Sequence, residues 1–194
     1  MSAATSTPDA LTVVMGPVDD RLREVTEMER ARWAATDPDL GAPFDALVDL
    51  VLIGGKRLRP AFFHWAHVGA GGEPFAPDAV NAAAAIEMLH AFALAHDDIM
   101  DASASRRGRP TVHVRFADMH RRWGWQGDAT RWGEAVAILV GDLAHVCADR
   151  LIAETSADIA HIWDELRLEV NVGQYLDVLA GARGEADEAT ARRI

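Results

Sequence analysis

The stretch "PDAVNAAAAIEMLHAFALAHDDIMDASA", from Pro77 to Ala104, most constrains how this chain can fold. Alanine and leucine dominate its body, and both favour the helix. Apolar residues fall on nearly every face of that helix, so it must be buried among other helices. Asp78 is placed to cap its start. Similar helical patterns flank it. Asp19 to Ala35 is polar and helical in character. "PFDALVDLVLIGG" reads as a short buried helix from Phe44, stopped by Gly54-Gly55. Pro60 suits the first turn of the next helix, "AFFHWAHVGAGG". "TVHVRFADMHRRWG" is an amphipathic helix that Thr111 can cap, and "GDATRW" is a connector before two long helices, Gly133 to Ala153 and Ala157 to Ala182. Alternating Val, Ile and Thr between turn residues is almost absent, so strands are not expected. The fold class is all-α: a bundle of long antiparallel helices with short loops. Residues 1–16 read as a flexible N-terminus and residues 17–194 as one helical domain.

With 194 residues, 49% of them hydrophobic, the chain can bury a sizeable core. Its net charge of -11 argues against nucleic acid as a general partner, because phosphate backbones require a broad basic surface. An anionic ligand would need a local basic cluster or a metal. The single cysteine, Cys147, sits in the apolar run "AVAILVGDLAHVCADRL" and reads as a small core residue. No internal disulfide can form, which suits the reducing cytoplasm. The start, "MSAATSTPDALTVVMGP", has no basic segment followed by a long apolar one, so no signal peptide is expected. No uninterrupted apolar run reaches the about 18 residues of a membrane span, so none is expected.

The charge at the end of the central helix is concentrated. On a helix Asp97 and Asp101 lie one turn apart on one face, where two carboxylates repel unless a cation sits between them. Magnesium prefers carboxylate oxygen, keeps several waters and completes its shell with substrate phosphates. Asp98 adjoins them, and His90 lies two turns back on the Asp97 stripe. A solvated helix end gives the same pattern, as does a satisfied core histidine. In "GGKRLRP", Gly54 to Pro60, Lys56 and Arg59 are three apart and share a face if a helical turn follows. Lysine offers a compact charge and arginine a planar fork for phosphate oxygens. A basic surface turn is the bland alternative. Arg106 and Arg107 follow the acidic helix end, where cations also favour a helix C-terminus for its own sake. Together the three groups suit two diphosphates, one held through magnesium and one by cations. The apolar "AIEMLHAFALA" supplies a wall for a hydrocarbon tail.

Four motifs in order, "GGKRLRP", "EMLHAFALAHDDIMD", "RRGRPTVH" and "GQYLD", resemble those of the trans-isoprenyl diphosphate synthases, the polyprenyl synthetase family. The resemblance runs from Gly54 to about Asp177, most of the chain. It implies an all-α isoprenoid synthase-type bundle around a deep central cavity, in a homodimer. It implies that Mg2+ held by Asp97 and Asp101, with Asp98 a neighbour of lesser weight, grips an allylic diphosphate that Arg106 also contacts. Lys56, Arg59, His90 and Arg107 match residues that bind isopentenyl diphosphate, and Gln174 and Asp177 match an element facing the same cavity. The implied reaction ionises the allylic diphosphate to a carbocation, which the isopentenyl double bond attacks before a proton is lost. Phe92 and Ala93, five and four residues before Asp97, match positions that limit product length. Small Ala93 and the short D-D-x-x-D motif resemble the geranylgeranyl type more than the farnesyl type.

The family also carries a second aspartate-rich motif and a lysine–threonine pair, which this sequence does not reach. The final "EADEATARRI" reads as a helix beginning, so the chain is expected to be the N-terminal portion of a longer enzyme and inactive alone. Two other readings stay open. A non-catalytic partner subunit would not need the missing motifs. A class I terpene cyclase shares the cavity and the aspartates, but has no use for a second, basic diphosphate site.

Overall fold

The computed structural model describes residues 9–185 and 187–192. It divides into two compact units, Met1–Glu154 and Thr155–Ile194. The first contains α1 (Asp9–Thr36), a 3-10 turn at Pro38–Leu40, α2 (Gly41–Leu52), α3 (Leu58–Gly69), α4 (Pro77–Met100), a two-strand hairpin of β1 (Ser105–Arg106) and β2 (Arg109–Pro110), α5 (Val112–Trp123) and α6 (Ala129–Ala153). The second contains α7 (Ala157–Arg183) and the short α8 (Glu188–Ala191). The all-α class expected from the sequence is the class observed.

Helix α4 is the axis of the first unit. It packs most extensively on α6 and also touches α1, α2, α3 and α5. Ala79, Ala82 to Ala85, Met88, Leu89, Ala91, Phe92 and Ala95 are all buried, so burial does go round the helix. By length and composition α4 is apolar enough to cross a membrane, contrary to the sequence expectation that no segment is. Two thirds of its apolar window (67%) is buried inside the structure, as in the core helix of a bundle.

Close helix approach depends on two glycines of α6. A Cβ on Gly141 would lie 2.5 Å from the His96 ring of α4. A Cβ on Gly133 would collide with the His113 carbonyl and come within 2.8 Å of the Ala117 nitrogen of α5. Polar ties then fix the register. Arg21 of α1 donates from Nε to Asn81 Oδ1 of α4 at 2.8 Å and from Nη2 to Glu154 Oε2, just past α6, at 2.6 Å. Buried Glu29 of α1 accepts from Trp33 Nε1 at 3.0 Å and from Arg150 of α6. Cys147 is buried in this core, and burial pushes its thiol up to about 11, so it is an inert packing group.

Several local expectations are corrected. Residues 9–16, read as flexible, form the first turns of α1, with Val14 and Val18 buried on one stripe; residues 1–8 lie outside the described residues. Pro17 stands inside that helix, where its missing N–H is tolerated because the apolar stripe is already packed. Asp78 does not cap α4: Ala76 holds the cap position, Pro77 the first turn, and Asp78 acts only through the dipole. Thr111 occupies the cap position of α5, but its hydroxyl donates to Ser103 O at 2.8 Å instead. "GDATRW" is not all connector, since Asp128 accepts from the Thr130 and Arg131 N–H groups and starts α6 at Ala129.

The α5–α6 contact gives a direct test. Gly133→Ala raises helix propensity, yet overpacking should outweigh it and destabilise the protein by about 2 kcal/mol. A urea midpoint that stays unchanged or rises would show that α5 does not pack this closely on α6.

Candidate active site

The site is built on the loop between α2 and α3, whose geometry rests on left-handed backbone. Gly54 and Gly55 have φ of 75° and 98°, and Arg57 has φ of 49°. Arg57 is only 3% exposed. Its guanidinium donates to Asp19 Oδ1 at 2.6 Å, to Glu87 Oε1 at 2.7 Å and to the Val51 carbonyl at 2.8 Å. One cation thereby holds α1, the end of α2 and the middle of α4 together, and supplies a donor to an otherwise orphaned helix-end carbonyl. Sequence reading passed over Arg57. The available signal was Glu87, an acid in an apolar run that needs a buried partner.

The second basic segment is a tight hairpin. Arg107 and Gly108 have φ of 52° and 75°, the two positive values of a primed two-residue turn. The Ser105–Pro110 and Arg106–Arg109 pairings form a two-residue ladder, so the expectation of no strands fails here. The ladder is too short to show alternation in sequence. Arg107 is thrown back onto the first loop, donating from Nη1 to the Ile53 carbonyl at 2.9 Å. A Cβ on Gly54 would sit 3.1 Å from the Arg107 side chain, so glycine makes room for it.

Arg106 turns toward the end of α4. Its Nε donates to both Asp98 oxygens at 3.0 and 3.2 Å, and its Nη2 reaches Asp98 Oδ1 at 2.8 Å and Asp97 Oδ2 at 3.2 Å. These bonds raise the Arg106 pKa, the hydrogen bond to Asp98 most of all. Asp98 is the buried aspartate, at 2% exposure, whereas Asp97 is half-buried and Asp101 exposed. The Asp101 N–H still bonds the Asp97 carbonyl at 2.8 Å, so those two carboxylates share the last helical turn. Among the described residues no three metal-ligating side chains converge. Two oxygen donors fit a magnesium ion completed by phosphate and water, and do not fit an all-protein cage.

His90 joins the two groups. Arg59 Nη1 lies 3.3 Å from His90 Nε2, and because arginine can only donate, Nε2 accepts. Burial, and then the charges of Arg59, Arg107, Arg106 and Arg57, lower the His90 pKa from 6.5 to about 4. The imidazole is therefore neutral at physiological pH and can accept a proton or a hydrogen bond. Lys56 is exposed and unpaired among the described residues. Phe92 is buried between two histidines, 4.6 Å from the His96 ring and 4.8 Å from that of His145, while Ala93 is half-buried. Gln174 and Asp177 lie on α7, in the second unit; the Gln174 Nε2 is buried and unpartnered, and Asp177 is exposed. The structure thus brings together Arg59, His90, Asp97, Asp98, Arg106 and Arg107, with Lys56 on the same loop.

Two outcomes check this geometry. Asp98→Ala removes the main partner of a half-buried arginine, leaving it only Asp97, and should cost about 2 kcal/mol, whereas Asp101→Ala should change stability by less than about 0.5 kcal/mol; equal effects in thermal unfolding would contradict the assigned burial. His90 is lowered in the folded state, so the stability it contributes is complete above about 6.5 and is lost as pH falls from there toward about 4. An NMR titration showing His90 protonated at pH 6 would refute the arginine environment.

Comparison with known proteins agrees with the motif order. Residues 42–193 match the family model of polyprenyl synthetase. The chain is 40% identical over 131 residues to a short chain isoprenyl diphosphate synthase of Methanothermobacter thermautotrophicus, covering 66% of this chain and 35% of that protein. It is 35% identical over 136 residues to a geranylgeranyl diphosphate synthase of Mycobacterium tuberculosis, covering 68% and 34%. A solved geranylgeranyl pyrophosphate synthase from Corynebacterium glutamicum, complexed with isoprenyl diphosphate and magnesium, matches with a TM-score of 0.82 at 32% identity, covering 96% of this chain and 54% of that one. The chain spans about a third of the length of these curated relatives. With the family pattern running over residues 42–193, this chain belongs to the polyprenyl synthetase family.

Proposed function

We propose that the protein is the N-terminal part of a short-chain isoprenyl diphosphate synthase that joins isopentenyl diphosphate to an allylic diphosphate, with the whole of α1 from Asp9 inside the synthase domain. The observation that carries this is the convergence of two arginine-bearing loops on a neutral histidine beside an aspartate-rich helix end. Asp97 and Asp101 would hold Mg2+ with the allylic diphosphate oxygens. Bound there, the ion offsets negative charge on the departing diphosphate. Arg106 adds donors to that leaving group, and Asp98 is a positioning residue that aims it. Lys56, Arg59 and Arg107 bind isopentenyl diphosphate, with neutral His90 holding Arg59 in place. Gln174 and Asp177 of α7 are assigned to substrate binding on their match to the family element alone. The allylic carbon–oxygen bond breaks, its electrons leave on diphosphate, the isopentenyl double bond attacks, and a proton is lost. The apolar side chains of α4 keep water from the cation. Buried Phe92 with small Ala93 supports a geranylgeranyl product over a farnesyl one.

A homodimer completes the reading. An apolar groove of ≈ 1170 Å³, bordered by Trp33, Trp123, Trp125, Leu139 and Val146, lies along α1, α5 and α6. Trp123 is 71% exposed. Contiguous apolar surface of this kind marks an interface, and a second copy is the commonest occupant. The buried thiol and acidic surface suit the cytoplasm.

The test is product formation from labelled isopentenyl diphosphate and each of dimethylallyl, geranyl and farnesyl diphosphate, with magnesium or a chelator, for this chain and for the chain extended at its C-terminus. A chelator-sensitive prenyl diphosphate is expected from the extended protein; none from either overturns the proposal. In the active form Asp97→Ala should lower kcat about 10²-fold or more, and Lys56→Ala should raise KM for isopentenyl diphosphate about tenfold with kcat largely kept.

A further inference from the structure

A second anionic site sits on the other side of the hairpin. Between α2, the hairpin and α5 lies a cleft of ≈ 600 Å³. Arg106, Arg107, Arg109, Arg115, Arg121 and Arg122 line it, against only Asp49, Asp98 and Asp118. On a chain of net charge -11 that excess of arginine is local and specific. Each carboxylate is already matched: Asp98 by Arg106, Asp49 by Arg115 at 2.6 Å, and Asp118 by Arg121 at 2.8 Å. Arg107 is held by a backbone carbonyl alone, and Arg109 and Arg122 have no partner among the described residues. Three guanidiniums therefore face the cleft without a neutralising acid.

Two further features define the ligand. Thr111 and Val112, at the N-terminus of α5, also line the cleft, and no side chain caps that terminus because the Thr111 hydroxyl is committed to Ser103 O. Its free N–H groups and dipole favour an anion beside the arginines. The facing wall is formed by Ala46 and Leu50 of α2 and Ile53 just past it, and the one carboxylate there, Asp49, is paired with Arg115. None of Lys56, Arg59, His90, Asp97 or Asp101 borders this cleft, so it adjoins the substrate site proposed above without containing its metal-side or lysine-side residues. It does share Arg106 and Arg107 with that site, the first bonded to Asp97 and the second to the glycine loop.

We propose that this cleft is a second binding site for a diphosphate carrying a short hydrocarbon tail, in which Arg107, Arg109, Arg122 and the α5 N-terminus hold the head and the α2 wall holds the tail. Occupancy draws Arg107 toward the cleft and away from the Ile53 carbonyl, so a ligand here inhibits the catalytic loop without entering the active site. The binding site stands on its own geometry, and only its inhibitory effect rests on the proposed reaction.

The test is calorimetric titration of the full chain with geranyl diphosphate in the absence of magnesium, using two double variants whose folding is verified by circular dichroism. Arg109→Gln/Arg122→Gln should weaken one binding event at least tenfold, and Lys56→Gln/Arg59→Gln should leave that event in place. Loss of binding in the second variant alone, or unchanged binding in the first, overturns the second site. Absence of any binding to the unmodified chain does the same, and equal affinity for sulfate overturns the diphosphate assignment. If the first variant loses its event while the second changes nothing, this cleft stands; the assignment of Lys56 and Arg59 to isopentenyl diphosphate is decided separately by the Lys56→Ala kinetics above.

Discussion

The guanidinium of Arg57 is the interaction on which the rest of the site depends. It is buried, and it is bonded at once to Asp19 on α1, to Glu87 in the middle of α4, to the Val51 carbonyl at the end of α2 and to the Gly54 carbonyl of the following loop. Burying charge is costly, and Arg57 and Glu87 are tolerated only because each satisfies the other. Their pairing fixes where the α2–α3 loop leaves the bundle. Arg59 then falls against His90, and the Ile53 carbonyl is left for Arg107. A structural cation, placed one residue from Lys56, orients the cations that are free to bind.

Charge in this molecule is segregated. The surface as a whole is acidic, yet the arginines of the two loops gather around His90, and its burial together with their charges keeps it neutral well below physiological pH. The same gathering explains why Arg106 is found on Asp97 and Asp98. The aspartates compensate its charge, and it compensates theirs. The buried Asp98 holds Arg106 through Nε and so fixes where the guanidinium sits.

Helix α4 shows how much of the fold was legible in the sequence. An alanine-rich run apolar on all faces has one physical solution in water, and burial round the helix is what the structure has. The boundaries of α6 and α7 were legible to within a few residues for the same reason. Thr111 and Asp78 were not, because a capping residue chooses among acceptors and donors that only the folded neighbourhood supplies; Ser103 O lies eight residues from Thr111 in sequence and 2.8 Å from its hydroxyl. The hairpin was missed because two residues per strand carry no periodicity. Its turn was readable in principle, since Gly108 after Arg107 allows two positive φ values.

The sequence by itself determined the class of fold, the family and the residue types of the site, because helix periodicity and ordered motifs are local properties of the chain. It also determined that any phosphate ligand must be met by a few loops, the overall charge being negative. Only the tertiary structure decided which arginine is structural and which is free, that Asp98 and not Asp97 is the buried aspartate, and that His90 is uncharged. Those properties depend on burial and on charges brought together across 30 residues or more, as Arg57 is with Glu87, and no spacing along the chain encodes the dielectric that such a pair experiences.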